Sequence, residues 1–187
     1  MTDLIGQSHR NELSRIAWAS IDSGLASGEP LTPSLSGYEE LFARTGSSFV
    51  TLTTIQGKLR GCVGTLVSEA PLLVNVSHNA HKAAFSDPRF TPVTAEERDL
   101  LKLEVSVLSE HVRIEGETEQ DILNQIRSHQ DGVIFSEGER RATFLPAVWD
   151  SIPDVATFFR QLKIKGGFAE DYWSDSIEVF RYTTETW

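Results

Sequence analysis

Apolar and polar positions follow two different periods along the chain, and the switches between them delimit its elements. Across residues 8–25, Leu13, Ile16, Ala17, Ile21 and Leu25 recur at spacings of three and four, which predicts an amphipathic helix closing near Gly24 or Gly28. Residues 30–37 read as a loop and 38–44 as a short helical turn. Residues 49–67, FVTLTTIQGKLRGCVGTLV, place two runs rich in Val, Thr, Leu and Ile around Gln56-Gly57-Lys58, which predicts a β-hairpin. Pro71 suits the first turn of a helix with Leu73, Val76, Ala80, Ala83 and Ala84 facing the core. That helix must stop before Pro88, because proline excludes helical backbone at its predecessor. Thr94-Ala-Glu-Glu97 matches a capping box and starts a short helix.

The second half reads in the same way. Residues 101–108 alternate, with Leu103, Val105 and Val107 on one side and Lys102, Glu104 and Ser106 on the other, which predicts a half-buried strand. A short strand at 111–114 and a helix at 118–127 follow. Residues 131–135 and 140–145 bracket Ser136-Glu-Gly-Glu139 as a second hairpin, and Trp149 reads as a packing residue. A helix over 154–163 ends at Gly166-Gly167, a strand covers 176–182, and Trp173, Tyr182 and Trp187 form an aromatic tail that seals an edge. Strands and helices alternate irregularly, with hairpins, so the fold class is α+β around a mixed or antiparallel sheet with flanking helices.

Composition narrows the function classes. The chain has 187 residues, 40% hydrophobic and 24% charged, an ordinary globular balance with room for one sizeable core. Its 27 acidic against 17 basic residues give a formal charge of -10, which opposes nonspecific attraction to nucleic-acid phosphates or anionic lipid. The basic clusters Arg140-Arg141 and Lys163 to Lys165 read as solvated faces. No apolar run reaches the roughly 20 residues needed to cross a bilayer. A single cysteine and an N-terminus without a signal-peptide pattern lead us to expect a cytoplasmic protein. There is no GxSxG elbow, Walker loop, HExxH helix, Rossmann fingerprint or paired-CxxC pattern, so neither a metal site nor a cofactor is assigned.

The chemistry worth weighing lies in the first hairpin. Strict alternation would put Leu59, Gly61 and Val63 on one face and Arg60, Cys62 and Gly64 on the other. Glycine weakens a strand, so Gly61 and Gly64 around the lone thiol imply that something approaches closely, either a ligand or another piece of backbone. Arg60, two residues from Cys62, is positioned to stabilise a thiolate or hold an anion. Alternatively, Cys62 is a small buried hydrophobe beside a bulge. Asp87 has three candidate partners: the backbone of its own turn, Arg89 and Arg60. If its strand neighbours the Cys62 strand, Glu104 reads as a salt-bridge partner of Arg60 or as a general base, and otherwise as an exposed strand charge. His78 and His81 are neighbours on a helix but lack further ligands at recognisable spacing.

Leu59-Arg60-Gly61-Cys62-Val63-Gly64 matches LRGC[IV]G, the hallmark of a known family. FVTL (49–52), AAFSDPRF (83–90), LEVSVL (103–108), DGV (131–133), ATFLPAVW (142–149) and LKIKGG (162–167) follow in family order. On these stretches the chain resembles the AMMECR-type domain family, whose prokaryotic members are termed protein A of the AmmeMemoRadiSam system. The resemblance implies one AMMECR-type domain over residues 1–187, with a main sheet domain and a smaller subdomain around a cleft, and the hexapeptide as functional centre. It also implies kinship with nucleotide-, nucleic-acid- and peptide-binding modules, and Memo-like and radical S-adenosylmethionine (SAM) proteins as partners. It supplies no reaction. Two functions follow as expectations: a ligand-binding module using Arg60, Gly61, Gly64, Asp87 and Arg89, or an enzyme using Cys62 and Glu104.

Overall fold

The computed structural model describes residues 5–187. Its elements run α1 (Gln7–Ser27), α2 (Glu40–Ala43), β1 (Ser48–Thr54), β2 (Leu59–Gly64), α3 (Leu72–Phe85), α4 (Ala95–Arg98), β3 (Leu101–Leu108), β4 (Val112–Ile114), α5 (Glu119–Leu123), β5 (Gly132–Glu137), β6 (Arg140–Phe144), a 3-10 turn (Pro146–Asp150), α6 (Val155–Lys165), β7 (Glu178–Tyr182) and β8 (Thr184–Thr186). Helices plus two antiparallel sheets make this an α+β protein. The chain divides into two compact units, one comprising residues through Leu108 with Glu185–Trp187, the other Ser109–Thr184. Among the described residues, no helix is long and apolar enough to cross a membrane.

The first unit is a four-stranded sheet in the order β2-β1-β3-β8. The apolar stripes of α1 and α3 bury Leu13, Ile16, Ala17 and Ile21, together with Leu73, Val76 and Ala80, in one core with Val50, Leu52 and Val105 of the sheet. Each Leu, Ile or Val among them contributes about 1.5–3 kcal/mol by leaving water, so this layer fixes which strand face points inward. Of the expected edge-sealing tail only Trp187 lies here: directly after the short strand β8 it exchanges backbone hydrogen bonds with Val105 and donates its indole N–H to the carbonyl of Arg10, whereas Tyr182 belongs to β7 and Trp173 to the segment before it. Three polar side chains sit inside this apolar layer. Ser48, Asn75 and Asn79 are buried and bonded to one another, and Asn79 also accepts from the Thr65 hydroxyl, tying the end of the hexapeptide strand to α3.

The second unit has sheet order β4-β7-β5-β6 and a core rich in aromatic rings. Trp149 is fully buried, stacks on Phe158 at 3.7 Å and donates its indole N–H to the Asp131 carbonyl at 2.7 Å. The helix expected over 118–127 is shorter, Glu119–Leu123. The buried Asp131 carboxylate takes the N–H and the guanidinium of Arg127, so the chain leaves the helix to serve that carboxylate. Lys163, expected on a solvated face, is fully buried against the carboxylate of Glu119 at 2.8 Å.

Candidate functional site

Strand β2 lies at the edge of its sheet and contains the hexapeptide. Leu52 pairs with Gly61 but the next residue, Thr53, pairs with Leu59, so Arg60 is the extra residue of a bulge. The bulge corrects the alternation expected from sequence, because Leu59 now shares the face of Thr53 and Gly61 that of buried Leu52. Arg60 turns away from the strand's regular faces. Its side chain is 11% exposed and forms a two-pronged pair with the Glu97 carboxylate at 2.9 Å per bond. Glu97 also accepts the Thr94 N–H as the capping-box residue of α4, so one carboxylate both starts that helix and anchors the bulge. The Arg60 pairing holds its carboxyl below the usual range.

Both glycines are explained by the protein's own atoms. A Cβ at Gly61 would lie 2.0 Å from the carbonyl oxygen of Ala83, so α3 packs its backbone directly against the strand. A Cβ at Gly64 would meet the Phe49 ring at 2.2 Å. Of the two approaches the sequence left open, backbone rather than ligand occupies the space at Gly61, and an aromatic ring occupies it at Gly64.

Cys62 faces the opposite way from Gly61 and is half-buried. It stands opposite Thr51, which stands opposite Glu104, so Cys62, Thr51 and Glu104 form one row across three strands on the sheet face away from α3. The Thr51 hydroxyl donates to Cys62 Sγ at 3.2 Å. The outward backbone groups of Cys62 are both taken: its N–H donates to Asp87 Oδ2 at 2.9 Å, and its carbonyl accepts from the Arg89 guanidinium at 3.3 Å. The turn after α3 therefore caps the open edge of β2 at the cysteine, where an unpaired edge would otherwise invite another strand.

Asp87 is the pivot of that turn. Its side chain is 3% exposed and accepts from the Arg89 N–H at 3.1 Å and from the Arg89 guanidinium at 2.7 Å, besides the Cys62 N–H. The Arg89 guanidinium first, and then the Cys62 and Arg89 N–H groups, hold the Asp87 carboxyl well below the usual carboxylate range. The Asp87 carboxylate in turn raises the Arg89 guanidinium. The cation bonded to the backbone of Cys62 is therefore Arg89, 54% exposed. Phe90 lies between the two arginines, its ring 5.9 Å from the Arg60 guanidinium and 5.5 Å from that of Arg89.

Among the expected residues, Cys62, Asp87, Arg89 and Glu104 belong to this strand face or its clamp, with Arg60, Gly61 and Gly64 as its supports. His81 lies elsewhere, 3.2 Å from the Gly28 carbonyl and against Phe85. Among the described residues, no group of three or more His, Cys, Asp or Glu is placed to hold a metal ion. Sequence reasoning missed Thr51, Glu97 and Asn79. For Asn79 the signal was a polar residue inside the helix's apolar stripe, and for Glu97 it was the capping box, read for its helix alone.

The hexapeptide thus places a half-buried thiol on a clamped edge strand of a two-sheet α+β chain. The AMMECR1 family model matches residues 14–187, so the chain belongs to the AMMECR1 family. A Thermotoga maritima protein is 36% identical over 173 residues, covering 91% of this chain and 94% of that protein. A Methanocaldococcus jannaschii protein is 33% identical over 178 residues, covering 91% and 85%. The crystal structure of the uncharacterized protein PH0010 from Pyrococcus horikoshii superposes with a TM-score of 0.86 at 32% identity, covering 97% of this chain and 92% of that one.

Proposed function

We propose that this protein is a ligand-binding module whose site is the Cys62 face of β2. Arg89 takes the anionic part of a small molecule, nucleotide or acidic peptide, and the thiol and hydroxyl of Cys62 and Thr51 contact its body. The observation carrying this reading is that Asp87 and Arg89 fix both backbone groups of Cys62 while the thiol stays half-buried and Arg89 stays 54% exposed. Pre-ordering the contact residues before a ligand arrives lowers the entropic cost of binding. In this reading Arg60 supports the site rather than touching the ligand. We expect the module to act in a reducing cytoplasm, where a lone thiol stays free, alongside Memo-like and radical SAM proteins. Co-purification with such partners that survives Cys62→Ser is the expected result.

Thermal-shift screening with nucleotides, RNA oligomers and acidic peptides tests the binding reading. A ligand present at about 100 times its Kd adds about 2.7 kcal/mol to the native state. Arg89→Lys keeps the charge but loses the two-pronged geometry, and should lower that stabilisation. Undiminished stabilisation in Arg89→Lys would remove Arg89 as the anchor.

One observation favours a second reading. Cys62 and Glu104 both flank Thr51 in the same row, so a carboxylate and a thiol share one strand face. An enzyme using Cys62 as nucleophile and Glu104 as base would show thiol alkylation whose rate changes in Glu104→Gln. An identical rate in that variant would eliminate Glu104 from such a role.

A further inference from the structure

The Ser109–Thr184 unit contains a cavity of about 470 Å³, inside the size range of small-molecule sites. Its floor is made of Ile114, Ile122 and Val179, all buried. Half-buried Trp173 forms one wall, and the carboxylates of Glu115, Glu117 and Asp175 stand around it. Arg113 also lines the space, but its guanidinium is already engaged by Glu115 at 3.3 Å and Glu178 at 3.1 Å. Glu117 and Asp175 enter no ion pair among the described residues. The cavity therefore combines an apolar floor, an aromatic wall and two uncompensated negative charges.

Both walls are held in place before any occupant arrives. On one side, the Glu137 carboxylate accepts from the Tyr172 hydroxyl at 2.8 Å and from the Ser174 hydroxyl, and Ser174 in turn accepts the Ser176 N–H at 3.2 Å. This brackets Trp173 and Asp175. On the other side, Gly116 packs so closely on α5 that a Cβ there would meet Asp121 Cβ at 2.7 Å. Thr118 and Asp121 lock the next turn as a capping box, which fixes Glu117.

We propose that this cavity binds a protonated amine or guanidine on a short apolar body, with the cation between Glu117 and Asp175 and the body against Trp173 and the isoleucine floor. Carboxylates supply charge-assisted hydrogen bonds to such a group, and the indole face adds attraction for a cation. An anion would meet the same two carboxylates as repulsion. The same chemistry is offered by a free amine and by a lysine or arginine side chain of a peptide.

The test uses the full chain labelled with nitrogen-15 and titrated with agmatine, Gly-Arg-Gly amide and, as a neutral control, butyramide. Agmatine or the tripeptide should shift the Trp173 indole N–H and the amides of residues 114–117 and 174–177, saturating with a Kd of about 1 mM. Tighter binding of the tripeptide would assign a peptide side chain as the source, and tighter binding of agmatine a free amine. Glu117→Gln with Asp175→Asn removes two exposed charges and no ion pair, and should weaken binding by about tenfold with the remaining resonances unmoved. No saturable shift from either cation, equal binding of butyramide, or full affinity in the double variant would overturn the proposal.

Discussion

The carboxylate of Asp87 accepts the backbone N–H of Cys62 at 2.9 Å from a position 25 residues later in the chain. A turn after α3 thereby supplies the hydrogen bond that an edge strand lacks, at the one residue of the hexapeptide with nucleophilic chemistry. Asp87→Ala would orphan that N–H and leave the Arg89 guanidinium without its partner. The expected cost is about 2–4 kcal/mol in urea unfolding, with Asp87→Asn losing less because its amide oxygen still accepts.

Acid should expose the same carboxylate. Asp87 lies below the ordinary carboxyl range in the folded protein, chiefly through Arg89. A depressed folded value contributes stability that is complete above the unfolded value, about 3.9, and is lost as pH falls from there through the lower folded value. Glu12, pushed down to about 2 by Arg15, adds to the same loss. The urea midpoint should therefore change little between about pH 7 and pH 5 and fall below about pH 4. Asp87→Asn should start lower and lose less on acidification, and equal losses in both proteins would mean that this carboxylate is not a source of the acid sensitivity.

Gly61→Ala should be among the most damaging single changes in the first unit. The added Cβ would sit 2.0 Å from the Ala83 carbonyl oxygen, which is helix backbone and cannot swing aside. We expect a loss of about 3 kcal/mol or more, read as a fall in melting temperature. Gly57→Ala, with φ +81 but no atom within 4 Å, should cost only about 1 kcal/mol.

Arg60 and Glu97 make a pair whose partners differ in exposure, 11% against 38%. Solvent screens the Glu97 side, so a double-mutant cycle with Arg60→Met and Glu97→Gln should give a coupling of about 1 kcal/mol rather than the several expected of a fully buried pair. Zero coupling would mean that the bulge is held without this contact.

Much of the fold was legible because each unit rests on periodic apolar stripes: Leu13, Ile16 and Ile21 on α1, Leu73, Val76 and Ala80 on α3, and Val105 on β3 all face inward. The candidate site was legible only in part. Cys62, Asp87 and Arg89 stood out by residue type, but the bulge at Arg60 did not, since a one-residue change of register leaves no mark on composition. Arg60 was accordingly expected beside the thiol, but it pairs with Glu97, and the arginine that reaches Cys62 is Arg89, through the backbone carbonyl. Glycine at 61 and 64 announced a close approach without naming its occupant, and the occupants, a helix carbonyl and a phenyl ring, come from packing that no local pattern encodes. Lys163 shows the same limit, because its partner Glu119 is 44 residues away.

The most direct measurement is iodoacetamide labelling of the folded protein, followed by mass spectrometry; as the chain has one cysteine, every adduct reports on Cys62. If this strand face is a site, native protein should be alkylated with no unfolding step, and a bound ligand found by thermal shift should slow the reaction. A thiol that stays unmodified until denaturant unfolds the chain would contradict an accessible site at the hexapeptide.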